Sequence, residues 1–495
     1  MYSPKTIALL ALTGLVLGCT TNLYAQKKNS KNVIAPYEKY IDDNADQHLK
    51  AFQELASIPS ISSIPAYAPE VQRAAVWIEQ KMKEIGLTKT QIIPTGAHPV
   101  VFGSWMGAPG KPTVLIYAHY DVQPVKEAEW IHPPFTPTVE GDRLYGRGTS
   151  DDKSGVVNAL FTAEAFLKTD GKLPVNIKYV FEGMEEIGSP SFASFLEQNK
   201  DLLKADYALN ADNGQFDEQT PAMTLSMRGA APLEFSIKTA NTDAHSGVFG
   251  GKTPNSAQIM AQLLASFYDA RGNVAVEGFY DKVIPITDEQ RAMIKKIPYD
   301  PAHDMKLLGT TAEAGDTSYA SLERIWYRPT LEIVGVESGY TAPEGHSNII
   351  PSHAMARITC RTVNNQDGKE LIDLIVKHID KHLPKGATVS YKFSKGYASP
   401  FQLPNNTPEF NTITTVLKEV YGKEPLQLAT GGSVGAMLSF KQILGIYAYP
   451  FGFALEDEGF HAANEFYRLS SLRKAQIALT KYFLLVGATS TKTKK

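Results

Sequence analysis

Cysteine is almost absent from this sequence, which has only Cys19 and Cys360 among its 495 residues. Two cysteines so far apart form neither a disulfide framework nor a cysteine-based zinc motif. A bound metal would therefore need His, Asp and Glu ligands. Excess charge is also small: the net charge is −3, and 20% of the residues are charged. The sequence thus lacks the basic surface expected of a nucleic-acid-binding protein.

Long apolar runs are scarce as well. The run at 7–18, which follows Lys5, has the length of the apolar region of a signal peptide and is too short to span a bilayer. No later run reaches the roughly 18 apolar residues of a membrane span. We predict a signal peptide over residues 1–25 and an exported chain, periplasmic or on the outer surface. An alternative is a lipoprotein signal over residues 1–18, with a lipid anchor on Cys19.

The remaining composition is that of a globular protein with 43% hydrophobic residues. At roughly 100–200 residues per domain, the length suggests two to four domains. In the first half, helices and strands alternate. Helices are predicted at 69–87 and 155–167, and strands at 113–118, 175–181 and 207–210. Such alternation favours an α/β layer architecture.

A different order of elements begins near residue 228. Strands are predicted at 233–237, 330–336, 355–363 and 388–393, and helices at 256–267 and 369–383. This β-α-β-β-α-β order is ferredoxin-like. We therefore predict a ferredoxin-like α+β domain over residues 228–399. It would be inserted between the two parts of an α/β catalytic domain, residues 35–227 and 400–488.

Five segments place His, Asp or Glu beside a strand end or a glycine-rich turn. They are 118–121 (AHYD), 146–155 (GRGTSDDKSG), 181–189 (FEGMEEIGS), 209–214 (LNADNG) and 459–465 (GFHAANE). Neighbouring carboxylates repel one another, so a divalent cation is their natural counterion. Taken singly, each segment also has a purely structural explanation. The alternatives are a hydrogen-bonded core His119, a helix-capping Asp151, an exposed acidic turn, a turn-forming Asp212 and a surface or core His461.

Together, and in this order, the five segments resemble the M20 metallopeptidases. This dinuclear zinc family includes dipeptidases, carboxypeptidases and aminoacylases, and the resemblance runs from about Ala35 to about Leu484. It implies a zinc-peptidase α/β/α catalytic domain with an inserted lid and dimerisation domain. It also implies two divalent metal ions, zinc or alternatively manganese.

The resemblance implies which residues bind these metals. His119 and Asp212 would bind one ion, Glu186 and His461 would bind the other, and Asp151 would bridge both. The peptide that follows Asp151 would be cis. This arrangement suits a two-metal hydrolase.

The resemblance also implies the catalytic groups. Asp121 would orient His119 from behind. Glu185 would be the general base and acid, taking a proton from the attacking water and giving it to the leaving amine.

The inserted domain would supply three of the substrate-binding residues, and Gly432 and Ser433 would come from the second part of the catalytic domain. The run 244–251 (AHSGVFGG) looks like the dipeptidase branch of the family. There, His245 would donate a hydrogen bond to the oxyanion in the other subunit's site. Arg361 would bind the free carboxylate of a peptide with its guanidinium fork. Further contacts are assigned to Asn348, Gly432 and Ser433.

The sequence therefore predicts an exported, metal-dependent dipeptidase that acts on short peptides with a free C-terminal carboxylate. Two chains would form a homodimer through the inserted lid domain. An N-acyl-amino-acid deacylase or a carboxypeptidase of the same family is the main alternative, because Arg361 would bind the same carboxylate in each. A non-catalytic peptide-binding relative is a further alternative. The presence of Asp151, Glu185 and His461 argues against it.

Overall fold

The computed structural model describes residues 33–340, 347–394, 396–432 and 435–489. The chain divides into two compact units. Unit 1 contains the chain through Pro221, Asn406–Pro425 and the chain from Ser439 onward, and unit 2 contains Ala222–Asn405 and Leu426–Leu438. The sequence placed 426–438 in the second part of the catalytic domain. In the structure this segment belongs to unit 2, because its strand pairs with a strand of that unit.

Helices predicted at 69–87, 155–167, 256–267 and 369–383 are present within a few residues of those bounds. The helices are 33–43 (α1), Ala45–Ala56 (α2), Ala68–Ile85 (α3), Lys153–Asp170 (α4), Phe192–Gln198 (α5), Lys200–Leu203 (α6), Ser246–Phe249 (α7), Ser256–Ala265 (α8), Asp288–Ile294 (α9), Pro301–Leu308 (α10), Ser321–Tyr327 (α11), Gly368–His382 (α12), Pro408–Tyr421 (α13), Gly435–Ser439 (α14) and Leu469–Ala488 (α15). Single 3-10 turns lie at Pro65–Tyr67, Glu127–Glu129, Glu185–Ile187 and Glu456–Glu458, and a π-helical turn lies at Phe440–Leu444.

All seven predicted strands are present, and the structure adds others that are mostly short. The strands are Lys89–Ile93 (β1), Val100–Trp105 (β2), Thr113–His119 (β3), Thr138–Glu140 (β4), Arg143–Tyr145 (β5), Asn176–Glu182 (β6), Tyr207–Asn210 (β7), Ala222–Met227 (β8), Gly229–Lys238 (β9), Ala244–His245 (β10), Thr330–Ser338 (β11), Ile349–Ile350 (β12), His353–Thr362 (β13), Thr388–Phe393 (β14), Phe401–Gln402 (β15), Leu426–Thr430 (β16), Ala448–Pro450 (β17) and Phe466–Arg468 (β18).

Unit 1 is built on a six-stranded mixed sheet with the order β1-β2-β6-β3-β7-β17. Strand β3 runs parallel to β6 and β7, and β17 runs parallel to β7. Strands β3 and β6 are buried along their whole length, as expected of parallel strands covered on both faces. The carboxyl ends of four parallel strands therefore meet at one edge of the sheet.

Helices cover both faces of this sheet. On one face, the hydroxyl of Tyr179 in β6 donates a hydrogen bond of 2.7 Å to the carbonyl of Ala159 in α4. On the other face, the ring of Tyr117 in β3 packs edge-on against Phe192 of α5. The two tyrosines point to opposite faces, because the register partner of Tyr179 is Ile116. Unit 1 thus has the α/β layer architecture that the sequence predicts.

Unit 2 contains a four-stranded antiparallel sheet with the order β11-β13-β9-β14. With α8 and α12, its chain order matches the predicted β-α-β-β-α-β connectivity. One face packs against the two helices through a core that includes Phe235, Leu263 and Ile375. The other face carries charged side chains, with Glu234 paired to Arg357 at 2.7 Å.

Smaller sheets complete the two units. Strands β15-β8-β16 and the pair β10-β12 belong to unit 2, and β18-β5-β4 belongs to unit 1. Among the described residues, no helix is both long and apolar enough to cross a membrane. The predicted signal segment, with Cys19, lies outside the described residues.

Candidate metal centre

His119 lies where the buried strand β3 reaches the carboxyl edge of the sheet. Its side chain is buried, and its Nε2 is 2.9 Å from Asp151 Oδ1 and 3.9 Å from Asp212 Oδ2. Asp212 follows the parallel strand β7, and Asp151 lies in the loop before α4. One ligand atom from each of the three residues lies within 4.8 Å of the others. That spacing is close enough for one metal ion to contact all three side chains.

A second group forms around the other oxygen of Asp151. The Nε2 of His461 is 3.0 Å from Asp151 Oδ2 and 3.1 Å from Glu186 Oε2. Glu186 lies in the 3-10 turn after β6, and His461 follows the turn Glu456–Glu458. Asp151 thus faces His119 with one oxygen and His461 with the other. The structure brings together all five residues that the sequence predicts as metal ligands.

The electrostatics of Asp151 depend on its two histidine neighbours. Burial opposes its charge, but hydrogen bonds with His119 and His461 hold the pKa of this carboxyl well below its usual range. Hydrogen bonds to Asp151 and Glu186 raise the pKa of His461 to about 10. Burial would lower the pKa of His119, yet its carboxylate neighbours raise that pKa well above the usual value.

The donor set fits divalent metal ions. Asp151, Glu186 and Asp212 bring three carboxyl groups to two imidazoles, and burial raises the pKa of Asp212 to about 6. A dication would compensate the surplus of negative charge that burial disfavours. Imidazole and carboxylate are the ligands that zinc accepts, and carboxylate also suits manganese.

Asp121 holds the turn that carries the two adjacent glutamates. Its Oδ1 accepts the backbone N–H of Glu185 and its Oδ2 accepts that of Glu186, both at 3.1 Å. The sequence predicts that this carboxylate orients His119. In the structure, His119 Nδ1 is nearer to the backbone oxygen of Asp121, at 3.1 Å, than to its Oδ1, at 3.4 Å. The carboxylate therefore holds the glutamate turn and also lies close to the ring of His119.

Glu185 is the first residue of that 3-10 turn and is half-buried. Burial raises the pKa of its carboxyl to about 8. A carboxyl group with a raised pKa beside metal-binding residues is a candidate for general acid–base chemistry. The adjacent Glu186 points to His461, so the two glutamates face different partners.

In the loop before α4, Asp151 lies among the candidate metal ligands and the adjacent Asp152 caps the helix. The peptide bond between Asp151 and Asp152 is cis, as the family resemblance implied. Asp152 caps the helix, since its Oδ1 accepts the N–H of Gly155 at 3.2 Å. The capping role that the sequence left open for Asp151 is therefore filled by its neighbour.

Sequence reasoning missed the residues that support the ligands. Gln123 Nε2 donates to Glu186 Oε2 at 2.7 Å. Arg147 and Glu465 form a buried ion pair of 2.6 Å beside Asp151. The signal available was that Arg147 and Glu465 are charged residues inside the second and fifth motifs. Gln123 had no comparable signal.

His245 and Asn348 are brought together in unit 2 by the β10-β12 pair. The backbone N–H of Ser246, next to His245, donates to the carbonyl of Asn348 at 3.0 Å. The exposed ring of His245 accepts the N–H of Gly247 on Nδ1, at 3.0 Å. A neutral ring that accepts on Nδ1 carries its proton on Nε2, so Nε2 is available as a hydrogen-bond donor.

The other predicted substrate-binding residues also belong to unit 2. Arg361 lies within β13, opposite Ala230 and Thr330, inside the strand that the sequence predicts at 355–363. The N–H of Gly432 donates to the hydroxyl of Thr430 at 3.1 Å. Ser433 lies outside the described residues.

An arginine that the sequence did not suggest accompanies this group. A Cβ on Gly431 would come within 2.7 Å of Arg228 Nη2, so the guanidinium lies against the glycine turn. Burial, together with the like charge of Arg361, lowers the pKa of Arg228 to about 10. Unit 2 thus places Arg228 against Gly431, and Arg361 is close enough to Arg228 to affect its charge.

Comparison with known proteins agrees with this fold and site. A Cys-Gly metallodipeptidase of Candida albicans is 28% identical over 451 residues, which cover 87% of this chain and 93% of the relative. The crystal structure of human carnosine dipeptidase 1 superposes with a TM-score of 0.76 at 26% identity, covering 92% of this chain and 99% of that one. The crystal structure of an M20 family metallo-carboxypeptidase from Sulfolobus solfataricus superposes with a TM-score of 0.76 at 30% identity. The match covers 89% of this chain and 99% of that one.

Two His–carboxylate groups that share one aspartate, beside a mixed sheet, suit a metal-dependent hydrolase. The sequence profile of peptidase family M20/M25/M40 matches residues 115–484, which is more than half of the chain. The chain belongs to this family and is a metallodipeptidase, an enzyme that hydrolyses peptide bonds.

Proposed function

We propose that this metallodipeptidase hydrolyses short unmodified peptides with a free C-terminal carboxylate, using two divalent metal ions, zinc or manganese. The observation that carries the proposal is the pair of donor groups that share Asp151. The relatives named for Cys-Gly and carnosine dipeptidase activity support a dipeptide substrate. Both groups draw their ligands from parallel strand ends and adjoining loops, where active sites of α/β sheets lie.

The proposed chemistry assigns a role to each residue of unit 1. When bound, the metal ions supply Lewis-acid polarisation of the attacking water and of the scissile carbonyl. Glu185 takes the proton of this water and returns it to the leaving amine. Its hydrogen bond to Asp121 holds the turn that presents it. Burial raises the pKa of Glu185 to about 8, which suits a group that gains and loses a proton near neutral pH.

Residues of unit 2 are proposed to bind the substrate. The Nε2 proton of His245 is a suitable donor to a developing oxyanion, and in a homodimer it would serve the partner's site. Arg361 would bind the C-terminal carboxylate with its planar fork. Asn348, Gly432 and Ser433 keep their sequence-based assignment as substrate-binding residues. The homodimer through the lid is part of the same proposal and rests on the family resemblance.

A carboxypeptidase is the second candidate function. The 30% identity with the Sulfolobus solfataricus metallo-carboxypeptidase favours it. A deacylase of N-acyl amino acids would use the same metal residues. Arg361 does not separate these activities, because each releases an amine that carries a free carboxylate.

Hydrolysis of a substrate panel tests the proposal. The panel contains Cys-Gly, β-Ala-His and other free dipeptides, together with longer peptides and N-acetylated amino acids, each with and without a chelator. We expect cleavage of the free dipeptides, lost on chelation and restored by zinc or manganese. Cleavage confined to the acetylated amino acids would move the assignment to a deacylase. Release of single C-terminal residues from longer peptides would favour the carboxypeptidase.

We also propose that the chain is exported, a proposal supported by the sequence of residues 1–25 alone. Lys5 and the apolar run after it have the features of a signal peptide. The intact mass of the mature protein distinguishes the two processing modes. A chain that begins at Gln26 supports cleavage after Ala25, and added acyl mass on Cys19 supports a lipid anchor. A mature chain that still begins at Met1 would contradict both.

A further inference from the structure

A buried carboxylate, Glu465, lies behind the shared metal ligand. Its side chain is fully buried, and its two oxygens accept four hydrogen bonds. Oε1 accepts the backbone N–H groups of Ser150, at 2.9 Å, and Asp151, at 3.1 Å. Oε2 accepts the N–H of Gly148, at 3.0 Å, and Nη1 of Arg147, at 2.6 Å. One side chain from the C-terminal part of unit 1 thus holds the loop that carries Asp151.

Arg147 connects this carboxylate to the second metal group. While its Nη1 donates to Glu465, its Nη2 donates to the carbonyl oxygen of His461 at 3.0 Å. Arg147 is 2% exposed, and its guanidinium lies over the ring of Trp130, 5.3 Å from the centroid. This buried ion pair therefore links the loop of Asp151 to the loop of His461.

These bonds are of a kind that fixes loop geometry. Hydrogen bonds from backbone N–H groups to an ionised carboxylate are roughly twice as strong as bonds between neutral groups. The loop is buried, and within it Gly148 has a φ of 79°, a conformation that favours glycine. Neither Arg147 nor Glu465 belongs to the two donor groups. Any effect of this pair on bound metal would therefore act through Asp151 and His461.

We propose that the Arg147–Glu465 pair is a positioning device that couples the two metal-binding groups. The inference rests on the proposed two-metal function. Glu465 acts through Asp151, which serves both groups, whereas the Nη2 contact of Arg147 acts through His461, which serves one. Breaking the Glu465 contacts weakens the binding of both ions together. Losing only the Nη2 contact of Arg147 weakens chiefly the ion held with Glu186.

A metal titration of the metal-free, full-length protein tests this coupling. Zinc is added in competition with a chromophoric chelator, so that both affinities are read without any activity measurement. In Glu465→Gln, the amide NH₂ group faces backbone N–H donors, and we expect both affinities to fall roughly 10- to 100-fold. Arg147→Lys keeps the charge but loses the two-pronged guanidinium. We expect the affinity to fall by the same factor only for the zinc ion held with Glu186. At saturating zinc, kcat falls in both variants while KM stays near its wild-type value.

Glu323→Gln is the matched control. Glu323 is a buried carboxylate of unit 2, 3.3 Å from an Arg291 nitrogen and outside both donor groups. We expect it to leave both zinc affinities unchanged. If Glu465→Gln fails to fold, the two zinc affinities are measured in the double variant Arg147→Met with Glu465→Gln. This variant buries no unpaired charge. In it, too, both affinities should fall.

Two results would overturn the coupling, and they can be told apart. If the wild type binds two zinc ions and the Glu465 variants bind both with wild-type affinity, the coupling is wrong and the proposed function stands. If the wild type binds only one zinc ion at the zinc concentration at which it is fully active, the proposed two-metal function fails, and the coupling fails with it.

Discussion

At the scale of single residues, two neighbouring glutamates have different surroundings. The side chain of Glu186 is 4% exposed, accepts a hydrogen bond from Gln123 and lies 3.1 Å from His461 Nε2. Glu185 faces none of these partners, and burial raises its pKa. Fixed polar partners suit a metal ligand, whereas a raised pKa suits a group that moves protons. The division of work between them follows from these surroundings.

Replacing Glu185 tests that division. Glu185→Gln keeps the shape of the side chain and removes the proton acceptor. We expect kcat to fall by about 10² to 10⁴-fold, the usual contribution of general acid–base catalysis, with two metal ions still bound. Steady-state kinetics and metal analysis check this. Glu186→Gln is the companion variant and should lose bound metal. Near-wild-type turnover in Glu185→Gln would remove Glu185 from the proposed chemistry.

Cys360 gives a second prediction at this scale. Its thiol lies in the core of unit 2, and burial raises its pKa to about 12. Thiol reagents attack the thiolate, so in a chain that begins at Gln26 and therefore lacks Cys19 we expect no labelling of the native protein at pH 8 and one labelled thiol after denaturation. Absorbance with a disulfide reagent measures both. Cys360→Ser should remain unlabelled in either state. Rapid labelling of the native protein would show that this thiol is accessible.

At the scale of elements, the sheet of unit 1 positions the site. Strands β3, β6 and β7 were predictable, because β3 and β7 are short and mostly apolar and the residues of β6 alternate. The motifs that follow them were predictable because acids cluster at those strand ends. The pairing of β8 with β16 was not, because the two short strands are far apart in sequence and the register is set by tertiary packing. For the same reason the sequence did not indicate that residues 426–438 group with unit 2.

The end of helix α3 offers a direct test of an element boundary. Gly86 has a φ of 105°, and a Cβ there would meet only Leu167, at an ordinary 3.7 Å. Gly86→Ala should therefore cost backbone strain and not a steric clash. We expect a loss of about 1–2 kcal/mol in the free energy of unfolding, measured by denaturant titration. Gly86→Asn should lose less unfolding free energy than Gly86→Ala, since Asn tolerates a positive φ better than Ala does. Equal stability of the Ala variant and the wild type would contradict the cap assignment.

At the scale of the whole molecule, the site is assembled from residues that are far apart in the sequence. The predicted metal ligands run from His119 to His461, and Arg147 meets Glu465 across 318 residues. The ligands could be predicted because they stand in recognisable motifs. The Arg147–Glu465 contact could not, because no local pattern records which buried charges pair. The backbone contact of Asp121 with His119 was also beyond prediction, since it depends on distances of a few tenths of an ångström.

Two metal-binding groups that share Asp151 are proposed to form the dipeptidase site. The most direct test is zinc analysis of the wild type and of Asp151→Ala, alongside hydrolysis of the best dipeptide of the panel. We predict two zinc ions per wild-type chain, activity that requires both, and loss of both ions and of turnover in Asp151→Ala. Two tightly bound ions in Asp151→Ala, or wild-type turnover that survives complete removal of metal, would contradict the account.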